Sequence, residues 1–311
     1  MFFNREDCLR RVLERVREVR PKRLYLAADG PRLDRPGEAT ACESVRRMAV
    51  DLVDWPCELK TLFRDKNLGC GKAVSEAISW FFSHEPEGII LEDDCLVDVS
   101  FFDFAAEMLE RFRDDERIGV ISALNVAGTA VPFNHSYAFS RLVCGCWGWA
   151  SWRRVWKDYD IDCRLLPELE RENELFFARD FHEQWFMTTS LKGIQELGGY
   201  NTWDYQLAFA NLIQSRLNIV PEVNMVQNLG DSGDGTHIPS RVLHQATHET
   251  KRLSFPLRHP PYVMPNERYD AFYKRYVMAS PPSWIRRAMK SLAALLLPRA
   301  LFDRLRKRHR Q

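Results

Sequence analysis

Apolar residues recur at helical spacing soon after the N-terminus: Leu9, Val12, Leu13, Val16 and Val19 share one face, and charged side chains take the other. Pro21 ends that helix. The lead before it, Met1-Phe2-Phe3-Asn4-Arg5, reads as the last residues of a strand and the turn after it. Residues 24–28 form a second apolar strand, closed by the turn signal Asp29-Gly30-Pro31. Helical spacing returns over 43–52, and 58–63 fits a third strand. The loop Asn67-Leu68-Gly69-Cys70-Gly71-Lys72 opens a helix over 73–83, followed by a strand over 88–91, a helix over 101–112 and a strand over 119–124. Alternating strand and helix predicts parallel strands joined by right-handed crossovers. The first strand is represented only by its tail, so either the sheet is abbreviated there or a fuller form of the chain starts several residues upstream.

Beyond residue 125 the texture changes. Tyr137, Phe139, Trp147, Trp149, Trp152, Trp156 and Tyr159 crowd together. Helices are predicted over 180–197 and 202–212 and a strand over 217–226, before a Gly-, Asp- and Ser-rich stretch over 228–237. From Phe255 the chain is irregular and proline-rich, and 285–308 is a basic amphipathic region interrupted at Pro298. These shifts divide the chain into a main domain over 1–255 and a linker with a helical tail over 256–311.

Composition bounds the class. The 311 residues are 45% hydrophobic and 28% charged, an ordinary folded balance that argues against disorder. The net charge of +1 conceals an uneven distribution: residues 283–311 hold nine Lys or Arg and one acid, Asp303, leaving −7 on the rest. An acidic body with a basic tail argues against nucleic acid as a partner and suits a body that handles a cation. The tail could lie on an anionic membrane surface, or pack on the body or a second subunit. Eight scattered cysteines without a Cys-x-x-Cys pair suit a reducing compartment rather than a zinc site. With no secretory signal expected and no apolar run of the ~20 residues needed for a span, the expected location is the cytoplasm, with peripheral contact at the inner membrane face.

The sharpest chemical feature is Gly88-Ile89-Ile90-Leu91-Glu92-Asp93-Asp94-Cys95. A buried strand that runs into three carboxylates places charge at a sheet rim, where ligands of open α/β sheets bind. Asp94 is the candidate ligand for Mg²⁺ or Mn²⁺, and Asp93 the candidate acceptor for ribose hydroxyls; the alternative is a solvated turn. Asp29 ends its strand where a carboxylate can meet a nucleobase or ribose, or simply form the turn with Gly30. Backbone N–H groups of the loop at Asn67 and Gly71, with the ammonium of Lys72, can face a phosphate or sugar.

The order of Asp29-Gly30-Pro31, the 67–72 loop, Leu91-Glu92-Asp93-Asp94-Cys95 and Trp147-Gly148-Trp149-Ala150 resembles nucleotide-sugar-dependent glycosyltransferases of the A-type fold, in particular a bacterial family-2-like, hemolysin-related group, over roughly residues 1–260. The resemblance implies a single Rossmann-like α/β domain with a mostly parallel central sheet, a nucleoside-diphosphate-sugar donor that Glu92 and Asp93 help to hold, and a divalent ion at the last acids of Glu92-Asp93-Asp94. It also implies donor contacts from Asn4 and Arg5, where family members carry Asn-Arg-Pro after a full strand and this chain has Asn4-Arg5-Glu6. Trp203-Asp204-Tyr205 is similar to the Trp-Asp-Asp-Trp stretch of metal-dependent N-acetylglucosaminyltransferases, which makes Asp204 the candidate base of an inverting transfer, or else a helix cap. His237 is implied as a second metal-facing residue on a returning loop, against the reading of an exposed loop histidine. Trp147, Gly148 and Trp149 are candidates for an acceptor platform, against core packing. The acceptor would be a glycan, a lipid-linked sugar or a protein. Two rivals share these features: a sugar-phosphate nucleotidyltransferase, and a glycan-binding scaffold without turnover.

Overall fold

A computed structural model describes residues 1–142, 147–172, 181–196, 202–231 and 250–278. The amphipathic stretch near the N-terminus is helix α1 (Glu6–Val19), with Leu9, Val12, Leu13 and Val16 buried. It leads into β1 (Arg23–Ala28), α2 (Glu38–Asp51), β2 (Glu58–Phe63), α3 (Cys70–His84), β3 (Glu87–Ile90), β4 (Cys95–Val97), α4 (Ser100–Arg111) and β5 (Ile118–Ser122). The helices and strands expected between residues 6 and 122 are present, with α2 beginning earlier than its apolar spacing indicates and an unexpected strand, β4, directly after β3.

The second half adds β6 (Tyr137–Ser140), β7 (Trp149–Trp152), the short helices α5 (Arg153–Trp156) and α6 (Leu166–Arg171), then α7 (Phe181–Glu196), α8 (Asp204–Ile213), β8 (Leu217–Pro221), β9 (Val226–Asn228) and α9 (Glu267–Tyr276). The strand expected over 217–226 is two strands. β8 ends at Pro221, and β9 pairs instead with β4.

The expectation of a mostly parallel central sheet is corrected. β1 and β2 pair in parallel as a separate ribbon, Arg23 opposite Glu58 through Ala28 opposite Phe63. The central sheet has five strands in the order β3-β7-β5-β8-β6. Within it β5 and β8 are parallel, while β3–β7, β5–β7 and β6–β8 are antiparallel. The physical reason is the aromatic segment. Trp149, Ala150, Ser151 and Trp152 are all buried, so β7 is covered on both faces and threads between β3 and β5.

The main core lies between the central sheet and α4, where Phe101, Phe104, Ala105 and Met108 meet Ile118, Ile121, Phe139 and Ile219. Leu253, Leu257 and Tyr269 join the same core from the proline-rich segment and α9. Asn266 caps α9, its side chain accepting the N–H groups of Arg268 and Tyr269, and its own N–H reaches the carbonyl of Phe139. No helix among the described residues is long and apolar enough to cross a membrane. The basic tail lies outside the described residues.

Candidate functional site

The carboxyl ends of β1 and β3 and the N-terminus of α3 open onto one cavity of about 280 Å³. Phe3, Arg5, Arg32, Arg64, Asn67 and Asp93 are among the residues that line it.

Its acidic wall follows directly from β3. The chain turns after Leu91, and the N–H of Cys95 closes the turn on the carbonyl of Glu92 at 3.1 Å. Asp93 is driven inward, only 3% exposed. Its carboxylate accepts the N–H of Phe3 at 3.3 Å and a hydrogen bond from the Arg5 guanidinium. Asp94 keeps its side chain partly exposed, and Arg5 reaches its Oδ2 at 3.0 Å. One guanidinium therefore meets both aspartates, and the buried Asp93 requires such a partner. Burial pushes the carboxyl of Asp93 upward against the opposing pull of Arg5. Burial, then the charges of Asp94 and Asp93, push Glu92 up to about 8, which keeps it protonated at neutral pH.

A later segment returns to the same acids. The β4–β9 pairing sets Asn228 opposite Cys95, and the N–H of Leu229 meets the carbonyl of Asp94 at 2.8 Å. Gly230 packs so closely that a Cβ there would stand 2.9 Å from Asp94 Oδ2 and 3.0 Å from the Arg5 guanidinium. His237, expected on this returning loop, lies outside the described residues.

The opposite rim is built from two loops tied together. Asp29 at the end of β1 accepts N–H groups from Gly30 at 2.8 Å, Leu68 at 3.0 Å and Gly69 at 3.1 Å. Asn67 donates its side-chain amide to the carbonyl of Gly30 at 2.9 Å. At Gly30 a Cβ would stand 2.4 Å from the backbone of Lys66, so glycine is required for the two loops to touch. Asp29 and Asn67 thus hold the loop that starts α3, the Asp29 carboxylate accepting three backbone N–H groups while also lining the cavity. Gly69, at φ 80°, turns the chain into the helix. Gly71 is buried on α3, while Lys72 is exposed and faces Glu76 at 3.9 Å, away from the lining of the cleft. Asn4 also points elsewhere, donating to Glu38 at 3.4 Å.

Asp204 is the first residue of α8. The cap position belongs to Trp203, with no side-chain cap bond, so the cap reading of Asp204 does not hold. Asp204 accepts a hydrogen bond from the hydroxyl of Thr202. Its charge adds to the upward shift of the Glu92 carboxyl and, after burial and Glu92, to pushing the Cys70 thiol up to about 12. Asp204 thus lies within electrostatic reach of Glu92 and Cys70, both in the cavity lining, although more than a hundred residues separate it from Glu92 in sequence.

The aromatic platform is corrected in part. Trp149 is 1% exposed and sits between Trp203, at a centroid distance of 5.6 Å, and Trp156, at 6.3 Å. It is core, and it fixes the base of α8 through Trp203. Gly148 is buried at φ 65°, where a Cβ would press on Val97 at 2.8 Å. Trp147 stays partly exposed and packs at the edge of the main core.

Phe3, Arg32 and Arg64 were not singled out from sequence. Arg32 lies over the Phe3 ring at 5.6 Å and is held by Glu38, which also accepts its backbone N–H at 2.7 Å. The one available signal was position, since Arg32 and Arg64 follow strand ends.

The residues suit a divalent ion as a one-carboxylate site. Asp94 offers a hard, partly exposed oxygen, while Asp93 is already satisfied; Arg5 stands against the same oxygens and shares them. Among the described residues there is no group of three or more His, Cys, Asp and Glu side chains arranged around an ion. No family model matches the chain, and no curated protein matches it in sequence.

Proposed function

We propose that the chain is a glycosyltransferase that takes a sugar from a nucleoside-diphosphate sugar, UDP-linked in preference, and passes it to an acceptor hydroxyl with inversion, in the synthesis of a cell-surface polysaccharide or glycoconjugate. The observation that supports this reading is a cavity at the carboxyl ends of β1 and β3 lined by Arg5, Glu92 and Asp93, with Asp94 on the same guanidinium and Asp204 within electrostatic reach of Glu92. Strand ends are where α/β sheets bind nucleotides.

The donor nucleotide enters between Phe3, Arg32 and the 67–69 loop, an aromatic and cationic surface suited to a base and a diphosphate. Asp204 orients the acceptor hydroxyl and takes its proton as the acceptor oxygen bonds to the anomeric carbon. The bond from that carbon to the diphosphate oxygen breaks, and its electron pair leaves with the diphosphate. Arg5 offsets charge that develops there. A Mg²⁺ or Mn²⁺ ion on Asp94 would add Lewis-acid stabilisation of the same leaving group. Asp93 holds Arg5 and Phe3 in place. The basic tail would bring the enzyme to an anionic membrane surface near lipid-linked acceptors.

The test is donor turnover with Mn²⁺ present. Release of a nucleoside diphosphate from a nucleotide sugar supports transfer. Release of pyrophosphate from a nucleoside triphosphate and a sugar phosphate identifies a nucleotidyltransferase instead, and no release of either identifies a binding scaffold.

A further inference from the structure

Between β1 and β3 the fold leaves a place one strand wide. At its carboxyl end that place is filled by residues 1–3. The N–H of Phe2 reaches the carbonyl of Ala27 at 3.0 Å, and the carbonyl of Phe2 accepts the N–H of Asp29 at 3.2 Å, in a parallel bridge. On the other side the amino group of Met1 donates to the carbonyl of Leu91 at 2.7 Å. The lead is therefore the tail of a strand that bonds both neighbours at once.

Further down, both neighbours present bare edges. Ala28 and Lys22 turn their carbonyls toward β2 and the segment leading into it, so by alternation Tyr25, like Ala27, turns its backbone the other way, into the gap. On β3 the carbonyl of Pro86 faces the chain just after β7, and that of Leu91 faces Met1, so Ile89 also turns its N–H and C=O into the gap. Outside the pairings with β2 and β7, no backbone hydrogen bond among the described residues meets Tyr25, Ile89 or the N–H of Ala27. Ala27 is buried and Tyr25 and Ile89 are half-buried, and buried backbone groups are almost always paired.

The packing shows the same division. Leu26 and Ala28 belong to a cluster with α1 and α2, whereas Ile90 belongs to another with α3, Val120 and Trp149. Phe2 joins the first cluster and Met1 touches the second, so residues 1–3 are the seam between them. Tyr25 and Phe81, with ring centroids 5.1 Å apart, roof the empty part from the α3 side.

We propose that this gap is the seat of one further strand: an extended apolar segment running parallel to β1 and continuous with Met1. It joins the β1–β2 ribbon to the five-stranded sheet as β2-β1-strand-β3-β7-β5-β8-β6. A peptide N–H at Met1 makes the bond to Leu91 that the amino group makes here, and the segment holds Phe3 and Arg5 at the floor of the cleft. This inference concerns the sheet and stands whether or not the chain transfers sugars.

Two versions of the full chain test it, each with six residues added directly before Met1: one alternating valine and threonine, the other glycine and serine. Melting temperature and amide hydrogen exchange are measured against the chain as given. The strand-forming version is expected to melt several degrees higher and to slow exchange at Tyr25, Ala27 and Ile89 by about tenfold or more, with the glycine–serine version unchanged. Equal melting and exchange in both versions overturns the proposal. Loss of folding in the strand-forming version alone also overturns it, since the gap then rejects a strand.

Discussion

Replacing Asp29 by alanine separates two roles that a carboxylate at a strand end can play. In the structure its oxygens receive the N–H groups of Gly30, Leu68 and Gly69. At about 1 kcal/mol net for each bond, with partial rehydration of the released donors, the loss is about 3 kcal/mol. For a chain of 311 residues that corresponds to a fall in melting temperature of about 5 °C. Asp29→Asn keeps one acceptor oxygen and is expected to lose about half as much. Differential scanning calorimetry reads the stability, and titration with UDP reads the cleft. Both variants should weaken UDP in proportion to the loosening of the 67–69 loop, with Asp29→Asn the milder. If instead Asp29→Asn melts like the parent yet no longer binds nucleotide, the carboxylate is a ligand contact and the loop-tie argument is refuted.

Four further outcomes follow from the same geometry. Gly30→Ala drives a methyl into the Lys66 backbone at 2.4 Å and should cost about 2 to 3 kcal/mol, read as a lower denaturation midpoint. Asp204→Asn should reduce transfer by about a hundredfold or more while leaving melting temperature and UDP affinity unchanged; retained turnover removes it from the role of base. Arg5→Gln strips the guanidinium from Asp94 and should tighten Mn²⁺ binding in the absence of nucleotide, measured by electron paramagnetic resonance; an unchanged affinity shows that Arg5 does not compete for that oxygen. Because Glu92 is raised from 4.5 to about 8 in the fold, the native state holds a proton that the unfolded state releases, so metal-free stability should fall as pH rises from about 4.5 to about 8. Glu92→Gln should flatten that slope in urea titrations.

The elements most legible in sequence were those whose periodicity is one-sided. α1 shows its buried face in the spacing of Leu9, Val12, Leu13 and Val16, and β1 ends at the Asp29-Gly30 turn as expected. β7 was not legible, because four buried residues with tryptophan at each end carry no alternation, and one concealed strand inverts the reading of the whole sheet. At the site, the acidic triplet stood out because charge after an apolar run is costly and therefore informative. The role of Asp29 did not, since nothing in a sequence says where the N–H groups of Leu68 and Gly69 will lie. Arg5 could be suspected of meeting a ligand, but not of bridging Asp93 and Asp94, which depends on the parallel bridge between Phe2 and Ala28.

The most direct measurement is a thermal-shift titration of UDP with and without Mn²⁺, on the parent chain and on Asp94→Asn. A stabilisation by UDP that Mn²⁺ enhances in the parent, and that Mn²⁺ no longer enhances in Asp94→Asn, is the predicted result. No stabilisation by any nucleoside diphosphate, or an identical Mn²⁺ response in Asp94→Asn, contradicts the assignment of this cleft.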